Sequence, residues 1–312
     1  MRDVTQGSGT KAMVDMNIVR LMGGLGNQMF QYALGLRLAR ETGRPVAYDG
    51  CNGFSRDLCC RRLALTALSV EMSLAPERAI PLGMSWGSPW HRVAKLYWSH
   101  APVRRRVVYE RTPFRYEAAI VARSSRGRYF HGYWQHEDYF APVAAELREH
   151  FRLRDRPSPA FLALQEEMAQ GGSISVHVRN YHDRGADGKI LAQSRAHHGA
   201  CSWDYYREAV ERIGGGVGRV CHVFSDDPEW TKAHLRLPVP CHYIAGRGAF
   251  SDVEEMQLMA SCQHHVIANS SFSWWGAWLG RNPDKVVVAP RTWIRGVPEG
   301  SVDVCPRSWV RI

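Results

Sequence analysis

Apolar positions along the chain gather in short runs separated by glycine-rich or polar turns. Asn17–Met22 holds Ile18, Val19, Leu21 and Met22 and predicts a buried strand. Gly23-Gly24-Leu25-Gly26 ends it, and Asn27–Arg40 repeats apolar residues at helical spacing through Met29, Phe30, Ala33, Leu34, Leu36 and Leu38. Gly43 is placed to stop this helix, with Pro45 beyond it, before a second strand at Val46-Ala47-Tyr48. The chain therefore opens with a βαβ unit. Periodicity is weak from Asp49 to Arg128, where short helices and long loops are expected. A short aromatic strand over Arg128–Trp134 and a helix over Tyr139–Phe151 follow.

The second half alternates more regularly. Helices are predicted over Ala160–Ala169, Trp203–Ile213, from Pro228, and over Asp252–Cys262, the last opened by a Ser251/Glu254 capping box. Strands are predicted at Ser173–Val178, Arg219–Phe224, Cys241–Ile244, His265–Ala268 and Lys285–Ala289. Asn269–Ser273 reads as a turn and Trp274–Leu279 as a short helix, with Trp274, Trp275 and Trp278 in the core. Such alternation predicts an α/β chain with parallel sheets covered by helices on both faces. At 312 residues two domains are expected. We place them at 16–154 and 155–312, with the linker near Asp155-Arg156-Pro157-Ser158-Pro159 and a disordered extension over 1–15.

Composition narrows the class. Hydrophobic residues at 45% can fill a sizeable core, and a formal charge of +10 suits an anionic partner. The basic residues do not form a stripe: Arg61-Arg62 and Arg104-Arg105-Arg106 are the densest clusters. With the tryptophans in an apolar helix, a nucleic-acid binder is disfavoured. The eight cysteines contain no C-x-x-C pair, so a reducing compartment is expected rather than a zinc finger. Neither His197-His198 nor His264-His265 has the spacing of a zinc-protease helix, so no metal site is expected. The N-terminus lacks an apolar core and no run approaches a membrane span. The chain is expected in the cytoplasm, with the basic clusters leaving open a peripheral place on anionic lipid at the inner face of the inner membrane.

Four segments carry candidate chemistry. Gly23–Gln28 joins a strand to a helix, where backbone N–H groups and the helix dipole suit an anion. It is not a dinucleotide fingerprint, since Met29 stands at the third glycine position. Asn27 and Gln28 add hydrogen-bonding amides. His177-Val178-Arg179 ends a strand, where an arginine can grip phosphate. Asn269-Ser270-Ser271-Phe272-Ser273 follows another strand and offers hydroxyls beyond the one that capping needs. Ser225-Asp226-Asp227 ends a third, with carboxylates for ribose or base, or for capping the next helix. An arginine, hydroxyls and carboxylates at three strand ends suit a sugar nucleotide better than a dinucleotide.

These residues also resemble a known family. Gly23-Gly24-Leu25-Gly26-Asn27-Gln28-Met29-Phe30-Gln31-Tyr32-Ala33 resembles the opening signature of the α-1,2-fucosyltransferases of glycosyltransferase family 11. His198-Gly199-Ala200-Cys201-Ser202-Trp203-Asp204-Tyr205-Tyr206, Phe224–Trp230 and Ala268–Leu279 resemble later blocks, in similar order and spacing. The resemblance implies a GT-B fold, two Rossmann-like domains facing across a cleft, with the first on the acceptor side and the second binding GDP-fucose. It implies inverting transfer of L-fucose to a β-galactoside-type acceptor, a galactose-containing glycan or lipid-linked oligosaccharide such as lipopolysaccharide O-antigen, with no cofactor and no essential metal.

On this reading Arg179, His177 and Asp183 are the expected catalytic residues. Gly26, Asn27, Gln28, Asp226, Asp227, Ser270, Ser271 and Phe272 are expected on the donor, and His198 and Trp203 on the acceptor. Asp183, Asp187 and His198 are the candidates for general base. The family's usual His-x-Arg-Arg-Gly-Asp is matched only through Arg179: Asn180 replaces the second Arg, and Arg184 and Arg195 are the candidates to supply its charge. Two other readings stand beside this one: a GT-B transferase for another nucleotide sugar, and a non-catalytic glycan-binding homologue.

Overall fold

The computed structural model describes residues 16–81, 93, 96, 107–182, 199–214, 218–244 and 249–312, less positions 56, 126 and 299. The expected 1–15 extension and the Arg104-Arg105-Arg106 cluster lie outside these residues. The chain divides into two compact units: one takes the residues up to Thr66 and Val70–His150, the other Ala67–Ser69 and Phe151–Ile312. The change falls between His150 and Phe151, ahead of the expected linker. Ser158 in that linker is already a helix cap, its Oγ accepting from the Phe161 N–H at 3.2 Å.

The first unit contains β1 (Asn17–Arg20), α1 (Leu25–Thr42), β2 (Val46–Asp49), β3 (Val107–Tyr109), α2 (Ala118–Ala122), β4 (Tyr129–His131) and α3 (Ala144–His150). Among the described residues its sheet has the order β2-β1-β4-β3, every pair parallel. Helix α1 is buried along most of its length, which explains its near-continuous apolar character. It ends at Gly43, whose φ of 63° lets its N–H turn back to Ala39 O. Strand β1 ends in Arg20, a guanidinium with no exposed surface. Such a burial is tolerable only with partners. Its Nη2 donates to Asn52 O at 2.7 Å, and its Nη1 lies 3.2 Å from His131 Nδ1.

The second unit contains α4 (Pro159–Ala169), β5 (Ser173–Val178), α5 (Trp203–Ile213), β6 (Val220–Ser225), α6 (Pro228–His234), β7 (Cys241–Tyr243), α7 (Asp252–Ser261), β8 (His264–Val266), α8 (Ser271–Leu279), β9 (Val287–Ala289) and β10 (Val310–Arg311). The described residues form a parallel sheet of order β10-β9-β8-β5-β6-β7. Ile174, Val176 and Val178 pack with Tyr206, Val210, Val223 and Val288 in one core cluster. Phe161, Met168, Phe224, Leu258 and Met259 form another. Alternating strand residues thus feed two apolar layers. The tryptophans of α8 are buried as expected: Trp274 lies 4.9 Å from Trp275 and 5.3 Å from Trp309 between ring centres, and Trp275 lies 5.2 Å from Trp278.

Both sheets are wholly parallel, as the α/β GT-B type requires. The departures are local. Helix α8 begins at Ser271 rather than Trp274, the helix expected over Tyr139–Phe151 starts as two short 3₁₀ turns before α3, and β3 and β10 were not anticipated.

Candidate active site

Strands β8, β5 and β6 are adjacent and parallel, so the residues after their last positions share one end of the sheet. That end carries Arg179 after β5, Asp226 and Asp227 after β6, and Asn269 with Ser270 after β8. In open α/β sheets ligands bind at this end of the strands.

Arg179 is held from two sides. Its Nη1–H donates to Asp226 Oδ2 at 2.9 Å, and its guanidinium carbon lies 5.0 Å from the centre of the Tyr181 ring. Asp226 also accepts the Asn180 N–H at 2.8 Å and the His182 N–H at 3.3 Å. One carboxylate therefore shapes the whole turn after β5. Asp227 accepts the Trp230 N–H at 3.1 Å and caps α6, while its Oδ2 lies 2.9 Å from His182 Nδ1. Of the two expectations for these aspartates, capping of the next helix is met by Asp227, and both carboxylates order the turns at this sheet end.

Tyr181 is a site residue the sequence did not disclose. Its φ of 57° is left-handed, a conformation a bulky side chain adopts only when its surroundings impose it. Its hydroxyl donates to Asn269 O at 2.7 Å, tying the turn after β5 to the turn after β8. Asn269 in turn donates from Nδ2 to Gly199 O and Trp293 O at 2.9 and 3.2 Å. Asn180 has its amide inside the unit, where it donates to Ser225 Oγ at 3.2 Å and Thr231 Oγ1 at 2.9 Å. A second arginine there would have to bury its charge.

Ser270 caps α8, its Oγ accepting the Phe272 N–H at 3.3 Å. Ser271 is the first residue of that helix, so the positive end of its dipole lies at the same sheet end as Arg179. Phe272 packs on His177, with 5.5 Å between ring centres. His177 is buried and its Nδ1 has no hydrogen-bond partner. Burial, reinforced by the charge of Arg179, pulls its pKa down to about 3. A ring this weakly basic is neutral at working pH and a poor proton acceptor, so any part His177 takes in catalysis is not that of a general base. Trp203, expected on the acceptor, is partly buried and packs beside the stacked pair of Trp230 and His234, at 5.3 and 6.3 Å between ring centres. Asp183, Asp187, His198, Arg184 and Arg195 lie outside the described residues.

In the first unit Gly23 takes a φ of 78°, and a Cβ there would meet Asn27 Nδ2 at 2.6 Å. Asn27 Oδ1 accepts from Gln135 Nε2 at 2.6 Å, and Gly26 is buried in the first turn of α1. Gln28 differs from expectation. It is buried, donates to Gly23 O and Arg62 O at 2.9 and 2.8 Å, and accepts the Ala64 N–H at 2.8 Å. Its amide braces the glycine turn instead of offering itself to a ligand. Arg61, whose Nε would lie 3.8 Å from a Cβ on Gly24, is a basic group at this turn.

No helix among the described residues is long and apolar enough to cross a membrane. Residues 107–310 match the family profile described as Glycosyl transferase family 11. An Alpha-1,2-colitosyltransferase of Escherichia coli is 30% identical over 309 residues, 95% of this chain and 98% of that protein. Galactoside 2-alpha-L-fucosyltransferase Sec1 of Mus musculus is 26% identical over 273 residues, 85% of this chain and 64% of its own. Among solved structures, fucosyltransferase NodZ from Bradyrhizobium aligns at a TM-score of 0.48 and 14% identity, covering 84% of this chain and 92% of that one. The profile match over most of the chain and the full-length relative establish that this protein belongs to glycosyltransferase family 11.

Proposed function

We propose that the protein is an inverting galactoside α-1,2-fucosyltransferase. It moves L-fucose from GDP-fucose to a β-galactoside-type acceptor of a surface glycan such as lipopolysaccharide O-antigen. The observation that carries this reading is Arg179, fixed by Asp226 at the end of β5 and on the strand beside the one that leads into α8.

In this reaction the acceptor hydroxyl attacks the anomeric carbon from the face opposite the nucleotide. The carbon–oxygen bond to the β-phosphate breaks, and the transition state is oxocarbenium-like. The bond's electron pair leaves with GDP, so negative charge grows on the β-phosphate. Arg179 and the N-terminus of α8, with the Ser270 and Ser271 hydroxyls, offer that charge a preorganised positive field. Asp226 acts as a positioning residue for the guanidinium. The acceptor proton passes to a base or to water; Asp183 and His198 are proposed as candidates for that step. Charge stabilisation by Arg179 and the helix makes an essential metal unnecessary in this scheme.

A second reading concerns the donor sugar. The 30% identity to a colitosyltransferase along nearly the whole chain favours colitose as the rival to fucose. Incubation with GDP-fucose, and separately with a nucleotide-activated colitose, across a panel of galactosides separates the two. Fucose joined α-1,2 to galactose supports the first reading. Transfer from the colitose donor alone replaces it, and GDP binding without transfer from any donor favours the non-catalytic glycan-binding reading.

A further inference from the structure

The face of the second sheet covered by α4 carries histidines, one buried and one exposed, that the proposed transfer does not use. His222 in β6 and His242 in the edge strand β7 are register partners, so their side chains share one face of the sheet. Glu167, in the last turn of α4, reaches the same place. One ligand atom from each of the three lies within 4.8 Å of the others. We propose that Glu167, His222 and His242 form a binding site for a divalent cation of the zinc class.

Three observations support it. First, the donor set is two imidazoles and one carboxylate, a combination that takes Zn²⁺ or a neighbouring transition metal, whereas Mg²⁺ and Ca²⁺ favour all-oxygen sets. Second, His222 is 2% exposed, and its Nδ1 is a buried nitrogen with no hydrogen-bond partner. A buried unsatisfied nitrogen is costly, and a histidine beside two other ligand groups has a reason to be there if a cation joins them. Third, His242 and Glu167 keep 57% and 50% of their side chains exposed, so an ion can enter from solvent.

At present His242 Nδ1 and Glu167 Oε1 lie 3.2 Å apart, joined by a proton. Ligand atoms of a tetrahedral zinc, at bonds of about 2.0–2.1 Å, sit about 3.3 Å from one another. The three ligand atoms, all within 4.8 Å of one another, must close to that spacing, and the two exposed side chains are the ones with room to move. The cation takes the place of the proton between them, His242 binds it as the neutral imidazole protonated at Nε2, and water fills the fourth position. His222 precedes Asp226 by four residues, about 13 Å along the strand, so the site is separate from the proposed transfer chemistry. Its effect is structural: it would clamp the edge strand β7 to β6 and α4.

The test uses the full chain, stripped with chelator and dialysed, then titrated with Zn²⁺ by calorimetry and with Co²⁺ by visible absorption. His242→Ala and Glu167→Gln are the variants, both at exposed side chains; His222 is left intact because it is buried. The expected result is one Zn²⁺ per chain, a tetrahedral Co²⁺ spectrum, and affinity reduced at least about tenfold in each variant. Zn²⁺ should also raise the melting temperature of the wild type and not of the variants. Absence of stoichiometric binding, or binding that both variants leave unchanged, overturns the proposal.

Discussion

Arg179 Nη1 and Asp226 Oδ2 lie 2.9 Å apart and join the ends of β5 and β6. Asp226 keeps only 7% of its side chain exposed and Arg179 keeps 17%, so the pair is partly shielded from solvent and from salt. This carboxylate also accepts the backbone N–H groups of Asn180 and His182. The direction of the guanidinium and the path of the chain after β5 are thus set by one group.

If Arg179 stabilises the departing nucleotide, Arg179→Ala should lower kcat by about 10²–10³, the usual effect of losing one such donor. Asp226→Ala should lower it through loss of aim, and the double variant should be little worse than Arg179→Ala alone. GDP release with GDP-fucose and a galactoside measures all three. Additive losses would show that the two residues act independently.

Tyr181→Phe removes a buried hydroxyl and leaves the Asn269 carbonyl without that donor. A loss of roughly 1–2 kcal/mol in urea unfolding is expected. Because the bond ties the turn after β5 to the turn after β8, the KM for the nucleotide sugar should rise as well. A variant with wild-type unfolding and KM would remove Tyr181 from the site.

His177 and His265 are both buried, and burial lowers each pKa to about 3; Arg179 adds to the effect on His177, and Lys285 to that on His265. Unfolded histidine titrates near 6.5. Between those values the unfolded chain binds more protons, so stability is full above about pH 6.5 and falls as pH drops toward 3. Each group contributes up to about 1.4 kcal/mol per pH unit, or roughly 4 kcal/mol for both at pH 5. Urea midpoints measured from pH 7.5 to 5 should decline accordingly, with a shallower slope in His265→Gln.

Gly23→Ala should cost about 1–2 kcal/mol, because its φ of 78° disfavours a side chain and the new Cβ would meet Asn27 Nδ2 at 2.6 Å. The same push displaces Asn27 from Gln135. Thermal melting reads the cost, and an unchanged melting temperature would show that the turn relaxes freely.

The first βαβ unit was legible because an apolar run, a glycine turn and the Gly43 stop all point the same way. Strands β3 and β10 were not: Val107-Val108-Tyr109 lies in the weakly periodic stretch from Asp49 to Arg128, and two residues are too few for alternation to register in β10. The three residues before Trp274 read as a turn because serine favours caps, yet Ser270 takes that task and Ser271 is already helical. At the site, Arg179, Asp226 and Ser270 were legible as polar groups at strand ends. Gln28 was misread because the backbone groups it bonds, at Arg62 and Ala64, lie more than 30 residues further on. The left-handed Tyr181 leaves no trace in composition or spacing. The meeting of Glu167, His222 and His242 depends on strand register, which pairs residues far apart in the chain.

The four indoles around α8 have an optical consequence. Packed at centre distances near 5 Å, they couple electronically and should give the second unit a strong near-ultraviolet dichroic band. That signal is weighted toward the α8 region, which holds four of the chain's eleven tryptophans. Melting of the half that carries Arg179 can then be followed in the intact, unlabelled chain while the far-ultraviolet signal reports on both halves together.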